Sequence, residues 1–177
     1  SFATGSEYSH VGHAVSSAGD VDGDGLDDIL VGAPGSGGTV YLILGASLGT
    51  TAEIDLALAD YSFVGESSGD YSGAHVASAG DVDGDGRDDL FVANYSSQVS
   101  ALFKNLGGGK FRDITVTAGL TRKAASVGCV FADVDNRGRL DLHVTTDSWL
   151  SGANYTEQQL LARGHTVEPV MLYENDG

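Results

Sequence analysis

One acidic phrase, broken by glycines, occurs three times along the chain, each time just before a run of apolar residues. It reads GDVDGDGLDDILVGAP at residues 19–34, GDVDGDGRDDLFVANY at residues 80–95 and, in a divergent copy, ADVDNRGRLDLHVTTD at residues 132–147. Asp20 and Asp81 are 61 residues apart, and the third phrase follows 52 residues after the second. Self-similarity at such a spacing is typical of repeat architectures. The sequence therefore predicts three copies of one structural unit.

The composition restricts the partners that the protein can have. The 177 residues include 25 acidic and 9 basic ones, for a formal net charge of -16. This charge excludes nucleic acid and anionic membrane surfaces as partners, and no apolar run is long enough for membrane insertion. With 41% hydrophobic residues, a folded domain is expected. Thirteen of the acidic residues lie in the first ten residues of the three phrases, a clustering that favours a bound cation: Asp20, Asp22, Asp24, Asp27, Asp28, Asp81, Asp83, Asp85, Asp88, Asp89, Asp133, Asp135 and Asp141.

The residues around the phrases read as β-strands. Small-residue runs, HAVSSAG and HVASAG, precede the first two phrases, and the β-rich runs DILVGA, LFVAN and LHVTT lie within the three phrases. The runs TVYLILG, VSALFKN and PVMLYEN come next, and a glycine-rich turn leads into FRDITV. This pattern predicts an all-β fold, a β-propeller of four-stranded blades with three blades in this chain. Within a single propeller segment, residues 1–177, the blade repeats are placed at 1–61, 62–113 and 114–177.

The first two phrases have the spacing of calcium-binding loops. Counting the first aspartate as position 1, carboxylates fall at positions 1, 3, 5 and 9, and glycines at positions 4 and 6 allow a tight turn. Hard oxygen donors select calcium over zinc or copper, and the backbone carbonyl at position 7 is a further candidate ligand. The predicted ligands are Asp20, Asp22, Asp24, Leu26 and Asp28 in the first loop, and Asp81, Asp83, Asp85, Arg87 and Asp89 in the second.

The other residues of the two loops have expected roles, and the loops differ from EF-hands. We expect Arg87 to contribute only its carbonyl, and Asp27 and Asp88 to point outward. An EF-hand needs a glutamate at position 12 and flanking helices, whereas position 12 is valine in all three phrases and the flanks read as strands. The alternative to a metal site is an acidic, solvated turn, and the two nearly identical copies make that interpretation less attractive.

The third phrase departs from this pattern. Asp133, Asp135 and Asp141 keep positions 1, 3 and 9, but Arg137 replaces the acid at position 5. Two interpretations remain open. Either the loop still binds a metal ion, or the guanidinium takes the place of the ion by pairing with the remaining acids.

The form SxAGDVDGDGxDDxxVxA resembles the FG-GAP repeat of integrin α-subunit propellers. The first unit, with VGAPGSGGTVYLILG, is closest to that pattern, whereas LFKNLGGGKFRDITVTAGL and GCVFADVDNRGRLDL resemble the related VCBS and cartilage-acidic-protein-type repeats. The resemblance implies an extracellular or cell-surface propeller that calcium stiffens. It further implies adhesion to, or recognition of, a protein or glycan partner, without enzymatic activity.

The third unit carries an insertion. From Asp141 to Leu172 is 31 residues, against 13 from Asp89 to Leu102 in the second unit, which leaves 18 extra residues. The insertion lies within SWLSGANYTEQQLLARGHTVEP, and its middle is predicted to form a short helix. Long loops on rigid scaffolds often carry binding residues, so the candidate recognition residues are Trp149, Tyr155 and His165.

Two other functional classes remain as alternatives. A propeller-fold hydrolase or lyase is one, although none of the G-x-S-x-G, H-E-x-x-H or G-x-x-x-x-G-K-[ST] motifs occurs. An excised or engineered fragment without its own activity is the other. The single cysteine, Cys129, has no basic neighbour in sequence and is expected to be a buried side chain, not a reactive thiol.

The two ends of the chain suggest a route to a closed ring. The terminal LYENDG stops where the second unit continues into its fourth strand, and the initial SFATGSE matches SFVGESS, the expected outer strand of the first blade. We expect the first strand of one chain to complete the last blade of another, in a head-to-tail homodimer with six blades.

Overall fold

The computed structural model describes residues 10–35, 37–49, 53–67, 69–95, 98–121, 123, 125–134, 136–147 and 170–173. These residues form eleven β-strands in three antiparallel sheets, together with 3-10 turns at Gly45–Ser47 and Leu56–Leu58. The predicted all-β class is confirmed. Within the described ranges, no helix is long and apolar enough to cross a bilayer.

The first sheet is a four-stranded meander. Its strands are β1 (Ala14–Gly19), β2 (Asp28–Ala33), β3 (Thr39–Ile43) and β4 (Tyr61–Val64), and they pair in the order β1-β2-β3-β4. The acidic phrase of residues 19–34 therefore contains the β1–β2 turn and all of β2. Strand β4 crosses the position at which the first and second sequence repeats were divided.

The second sheet repeats the same topology. Its strands are β5 (Ser72–Gly80), β6 (Asp89–Asn94), β7 (Ala101–Asn105) and β8 (Phe111–Asp113), in the order β5-β6-β7-β8. Both sheets have an irregularity in register at the end of the first strand, between Ser17 and Gly19 and between Ser78 and Gly80.

The third sheet has three strands within the described residues. They are β9 (Ala125–Ala132), β10 (Asp141–Asp147) and β11 (Val170–Tyr173), in the order β11-β10-β9. The predicted strand segments within the described residues overlap strands of these three sheets, whereas the initial segment SFATGSE lies outside the described residues. The insertion between β10 and β11 lies outside the described residues, and so does the helix predicted within it.

Apolar residues from neighbouring sheets form the cores between the sheets. One cluster joins the first two sheets and includes the buried side chains of Leu30, Leu42 and Leu90. A second cluster joins the second and third sheets through residues such as Phe91 and Leu142. Strand β5 contacts β1 on one side and β9 on the other, so the first strands of the three sheets lie side by side. Successive sheets therefore stack face to face around these first strands.

Candidate metal centre

The three acidic loops occupy equivalent places in the three sheets. Each loop joins the first strand of its sheet to the second, as β1–β2, β5–β6 or β9–β10. Because the first strands lie side by side, the loops gather at one end of the stacked sheets. The repeat in the sequence thus becomes a row of acidic turns on one surface.

The aspartate at position 1 organises each turn through backbone hydrogen bonds. The Asp20 carboxylate accepts bonds from the backbone N–H groups of Gly23, Asp24 and Gly25, at 2.8, 3.0 and 2.9 Å. Asp81 accepts the three equivalent bonds in the second loop, at 2.8, 2.9 and 2.7 Å. Gly23 and Gly25 have φ angles of +83° and +87°, which favour glycine at both positions.

In the first loop three carboxylates converge. Asp20, Asp22 and Asp24 each offer an oxygen, and these oxygens all lie within 4.8 Å of one another. No lysine or arginine in the described part of the chain forms an ion pair with these three side chains. Three hard oxygen donors with little neutralising charge fit a calcium ion chemically. Three of the five ligands predicted for the first loop thus lie close together, and their role as ligands stays a prediction.

The aspartate at position 9 of the first loop is a buried acceptor. Asp28 has no exposed surface, and it accepts bonds from the N–H groups of Val21, at 2.8 Å, and Gly45, at 2.7 Å. Burial raises the pKa of the Asp28 carboxyl, the two backbone bonds oppose this, and the charges of Asp22 and Asp20 add to the rise. Asp28 does not belong to the converging group of three. Each of its oxygens keeps a second lone pair that is available to a metal ion. The role of Asp28 as a ligand therefore stays a prediction.

In the second loop a different trio converges. One oxygen from each of Asp81, Asp83 and Asp89 lies within the same 4.8 Å limit. Asp89 is fully buried and accepts bonds from the N–H groups of Val82 and Asn105, at 3.1 and 2.7 Å. Burial raises the pKa of its carboxyl against the effect of these bonds. The position 9 aspartate thus reaches the cluster in the second loop.

Basic side chains enter the second loop. The Lys104 ammonium contacts the Asp83 carboxylate and lies 3.0 Å from Asp85 Oδ2, while the Arg87 guanidinium pairs with the same Asp85 oxygen. The hydrogen bond from Lys104 holds the pKa of the Asp85 carboxyl below its ordinary value, and Arg87 contributes to the same shift. Contact with Asp83 and Asp85 raises the pKa of the Lys104 ammonium. The side chain of Arg87 thus also binds within the loop, whereas the role of its carbonyl as a ligand stays a prediction.

The peptide at position 7 is held in a similar way in both loops. The N–H of Leu26 donates to Asp24 Oδ1 at 2.8 Å, and the N–H of Arg87 donates to Asp85 Oδ1 at 3.2 Å. These bonds tie each position 7 residue to the acid at position 5. The carbonyl ligands of Leu26 and Arg87 stay predictions.

The third loop keeps part of this frame. Asp133 accepts bonds from the N–H groups of Arg137, at 2.9 Å, and Gly138, at 2.8 Å, as the position 1 aspartates of the other loops do. Asp141 is buried, with 1% of its surface exposed. Asp135 lies outside the described residues, so both interpretations of this loop stay predictions.

The first two loops share a crevice of about 450 Å³, which is lined by residues of both, including Asp22, Asp81 and Asp88. Asp27 is exposed, as expected, but Asp88 is half-buried and accepts a hydrogen bond from the N–H of Asp20. Burial raises the pKa of the Asp88 carboxyl, and the charges of neighbouring aspartates add to this rise. The outward placement predicted for Asp88 is therefore wrong, since this side chain joins two loops.

A buried amide links the same two loops. Asn105 is fully buried and its Nδ2 donates to the carbonyls of Val21, at 2.7 Å, and Asp88, at 3.1 Å. Its Oδ1 accepts from the N–H of Gly107 at 2.8 Å. Sequence reasoning missed both Asn105 and Lys104, although the two adjacent polar residues end the apolar strand β7. A polar pair at that place signals a contact with the neighbouring acidic loop.

The other candidate residues are not part of this centre. Trp149, Tyr155 and His165 lie outside the described residues, so their role in recognition stays a prediction. Cys129 lies in β9, where burial raises the pKa of its thiol to about 11. This value keeps the thiol protonated at neutral pH and agrees with the expectation of an unreactive side chain.

Comparison with known proteins identifies the repeat. A family model described as FG-GAP-like repeat matches residues 20–92 and 81–144, which together span more than half of the chain. Each match begins at position 1 of one loop and ends in the strand after the next loop. The chain is also similar to Integrin alpha pat-2 of Caenorhabditis briggsae and of Caenorhabditis elegans, with 33% identity over 100 residues in each case. These alignments cover 54% of this chain and 8% of each relative, so the chain spans a small part of their length.

Proposed function

The chain belongs to the family of FG-GAP-like repeats, and on that premise we propose that it is a calcium-binding, non-enzymatic β-propeller module. Its role is adhesion to, or recognition of, a protein or glycan partner at the cell surface or outside the cell. The similarity to a protein named integrin alpha supports this role and location. Calcium is structural in this proposal, and the partner binds elsewhere on the propeller.

The observation that carries the calcium proposal is the convergence of Asp20, Asp22 and Asp24 within 4.8 Å. Three carboxylates at this separation repel one another unless a cation or protons neutralise them. A calcium ion would neutralise the first loop through Asp20, Asp22 and Asp24, with Asp28 and the Leu26 carbonyl as further predicted ligands.

The place of the loops supports a structural role for the ion. The crevice between the first two loops is lined from both sheets, and the Asn105 amide crosses from the second sheet to the Val21 carbonyl in the first loop. An ion that fixes the shape of the first loop therefore also fixes the acceptor that this amide needs. Calcium would in this way stiffen the joint between the two sheets.

Ring closure through a second copy is part of the proposal. The first two sheets each have four strands, whereas β11 ends the third sheet without a fourth strand among the described residues. A strand from another copy would complete that edge and remove an exposed hydrogen-bonding surface. Light scattering coupled to size-exclusion chromatography should then give twice the 18.2 kDa mass of one chain. A stable monomer would contradict the homodimer.

The recognition residues are proposed to lie in the insertion, at Trp149, Tyr155 and His165. Substitution of all three by alanine should remove partner binding and leave calcium binding unchanged. An array of extracellular-matrix proteins and glycans, probed with labelled protein, supplies the partners for this comparison. Equal binding by the wild type and the triple variant would place recognition elsewhere.

Direct measurement of bound calcium tests the central proposal. Isothermal titration of chelator-treated protein with calcium should give at least one site, and Asp24→Ala should remove the first-loop site. Asp27→Ala is the matched control, because Asp27 is an exposed acid of the same loop outside the converging group. The assignment of the first loop would be refuted if the wild type gave no heat of calcium binding, or if Asp24→Ala and Asp27→Ala lost the same amount of calcium binding.

A further inference from the structure

The second loop contains a cation of its own. The Lys104 ammonium contacts one oxygen of Asp83 and lies 3.0 Å from one oxygen of Asp85. All three side chains are partly accessible, with exposed fractions of 23% for Lys104, 34% for Asp83 and 23% for Asp85. Asp83 is one of the three acids that converge in this loop, and Asp85 is a predicted ligand at position 5. The ammonium therefore occupies oxygens that a calcium ion would need.

The first loop has no equivalent of this lysine. The residue after Lys104, Asn105, donates its N–H to the position 9 aspartate Asp89, and Gly45 donates its N–H to Asp28 in the same way. These matching bonds make Leu44 the structural counterpart of Lys104. Leu44 packs against the apolar core between the first two sheets and brings no charge to its loop.

We propose that Lys104 competes with calcium for Asp83 and Asp85, which makes the second loop the weaker of the two calcium sites. The proposal rests on the proposed function, since it requires calcium to bind these loops. Ammonium and calcium neutralise the same carboxylates, so the ion must displace the lysine before it can bind these oxygens. Calcium then fills the loops in order, the first loop at a lower concentration than the second.

The competition also predicts the state of the loops without calcium. In the second loop the ammonium holds Asp83 and Asp85 together, whereas in the first loop the three converging acids have no ion pair within the described part of the chain. Removal of calcium should therefore loosen the first loop more than the second. Lys104 acts as a built-in substitute for the ion, and its flexible stem allows it to leave when the ion arrives.

Calcium titration of the second loop, in a chain whose first loop is disabled, tests the competition. In an Asp24→Ala background, which disables the first loop, Lys104→Met keeps the apolar stem and removes the charge. We expect its calcium dissociation constant to fall about three- to tenfold, because two exposed ion pairs no longer oppose the ion. Lys104→Arg, which keeps a cation at this place, should bind calcium about as weakly as the background.

Two further variants separate this effect from charge and folding. Lys123→Met changes the net charge equally at an exposed lysine that precedes β9, away from the acidic loops. Lys104→Leu introduces the residue that the first sheet has at this place and should bind calcium as tightly as Lys104→Met. Circular dichroism in chelator confirms that each variant is folded before titration.

The outcomes distinguish this proposal from the proposed function. The role of Lys104 would be overturned by any of three results. These are an unchanged calcium dissociation constant in Lys104→Met, an equal gain in calcium affinity in Lys123→Met, and a second loop that binds no calcium in any variant. None of these results would affect the calcium site of the first loop, which is measured separately in the wild type and in Asp24→Ala. A wild-type first loop that binds no calcium would instead refute the proposed function.

Discussion

Asp88 of the second loop lies directly over Gly19, the residue before the first loop. A Cβ atom built on Gly19 would be 1.8 Å from Asp88 Oδ2 and 3.1 Å from Asp88 Cβ. The same relationship joins the second and third sheets, where a Cβ on Gly80 would be 2.6 Å from Leu140 Cδ1. Asp88 and Leu140 are each the eighth residue of their loop. Each of them covers a glycine of the preceding sheet, Gly19 or Gly80, that lies just before the acidic loop of that sheet. The acidic turns are therefore also the contacts through which neighbouring sheets are fitted together.

Gly19→Ala should destabilise the protein by about 2–4 kcal/mol. Gly19 has a φ of +74°, where alanine costs about 1–2 kcal/mol, and the new methyl group would force Asp88 to move at a similar further cost. Gly23→Ala is the matched control, because Gly23 has a φ of +83° and open space around it. Urea unfolding in saturating calcium measures both variants. Equal losses would show that backbone strain alone explains the glycine and that the contact with Asp88 is unimportant.

Asn105→Ala should cost about 2–4 kcal/mol, because the three partners of the buried amide lose their hydrogen bonds. These partners are the carbonyls of Val21 and Asp88 and the N–H of Gly107. Asn94→Ala is the control within one sheet, where the Asn94 amide donates to the Val99 carbonyl at 2.8 Å. We expect a smaller loss in Asn94→Ala. Hydrogen exchange should show loosening of the first loop in Asn105→Ala only. Protection of that loop in both variants would contradict the link between the sheets.

Calcium removal should lower the melting temperature. A ligand that binds only the folded chain adds about 2.7 kcal/mol per site at 100 times its dissociation constant. Asp22→Ala should therefore reduce the difference between the melting temperatures with calcium and with EGTA, whereas Asp55→Ala should leave that difference unchanged. Asp55 accepts a bond from the N–H of Ala57 in a 3-10 turn and does not belong to a converging group. If calcium does not change the melting curve of the wild type, a structural role for the ion is excluded.

The sequence was sufficient for those features that depend on local spacing. The small-residue runs HAVSSAG and HVASAG placed β1 and most of β5, and the acids at positions 1, 3 and 5 of the spacing converge in the first loop. Repetition made both inferences stronger, because the same pattern had to satisfy the same turn more than once. Local spacing also identified the position 1 aspartates, whose bonds to nearby N–H groups are made within five residues.

The contacts made across the hairpins and between the sheets could not be read from local spacing. The position 9 aspartate bonds an N–H 17 residues later in the first sheet and 16 residues later in the second. The second hairpin is thus one residue shorter, and this change aligns Lys104 with Leu44. The contact of Asp88 with the first loop likewise depends on how two sheets stack. Such contacts follow from the register and packing, which a single sequence does not specify.

The two histidines between the first strands give a pH dependence of stability. The rings of His13 and His75 are 6.1 Å apart in an edge-to-face arrangement, and His13 Nδ1 donates to the Ala74 carbonyl at 3.1 Å. Burial lowers the pKa of His75 below its ordinary value of 6.5, and the charge of His13 lowers it further. The folded protein therefore disfavours the protonated form of His75.

Acidification through the range below pH 6.5 should reduce the stability of the protein. Between the lowered pKa of folded His75 and 6.5, the unfolded chain binds more protons than the folded chain, so the free energy of unfolding falls as the pH falls. The loss is complete once the pH is below the folded pKa. His75→Gln should flatten this dependence between pH 7.5 and 5.5 in urea unfolding experiments, whereas His10→Gln, at an exposed position, should retain it. A slope that persists in His75→Gln would assign the pH dependence to other groups.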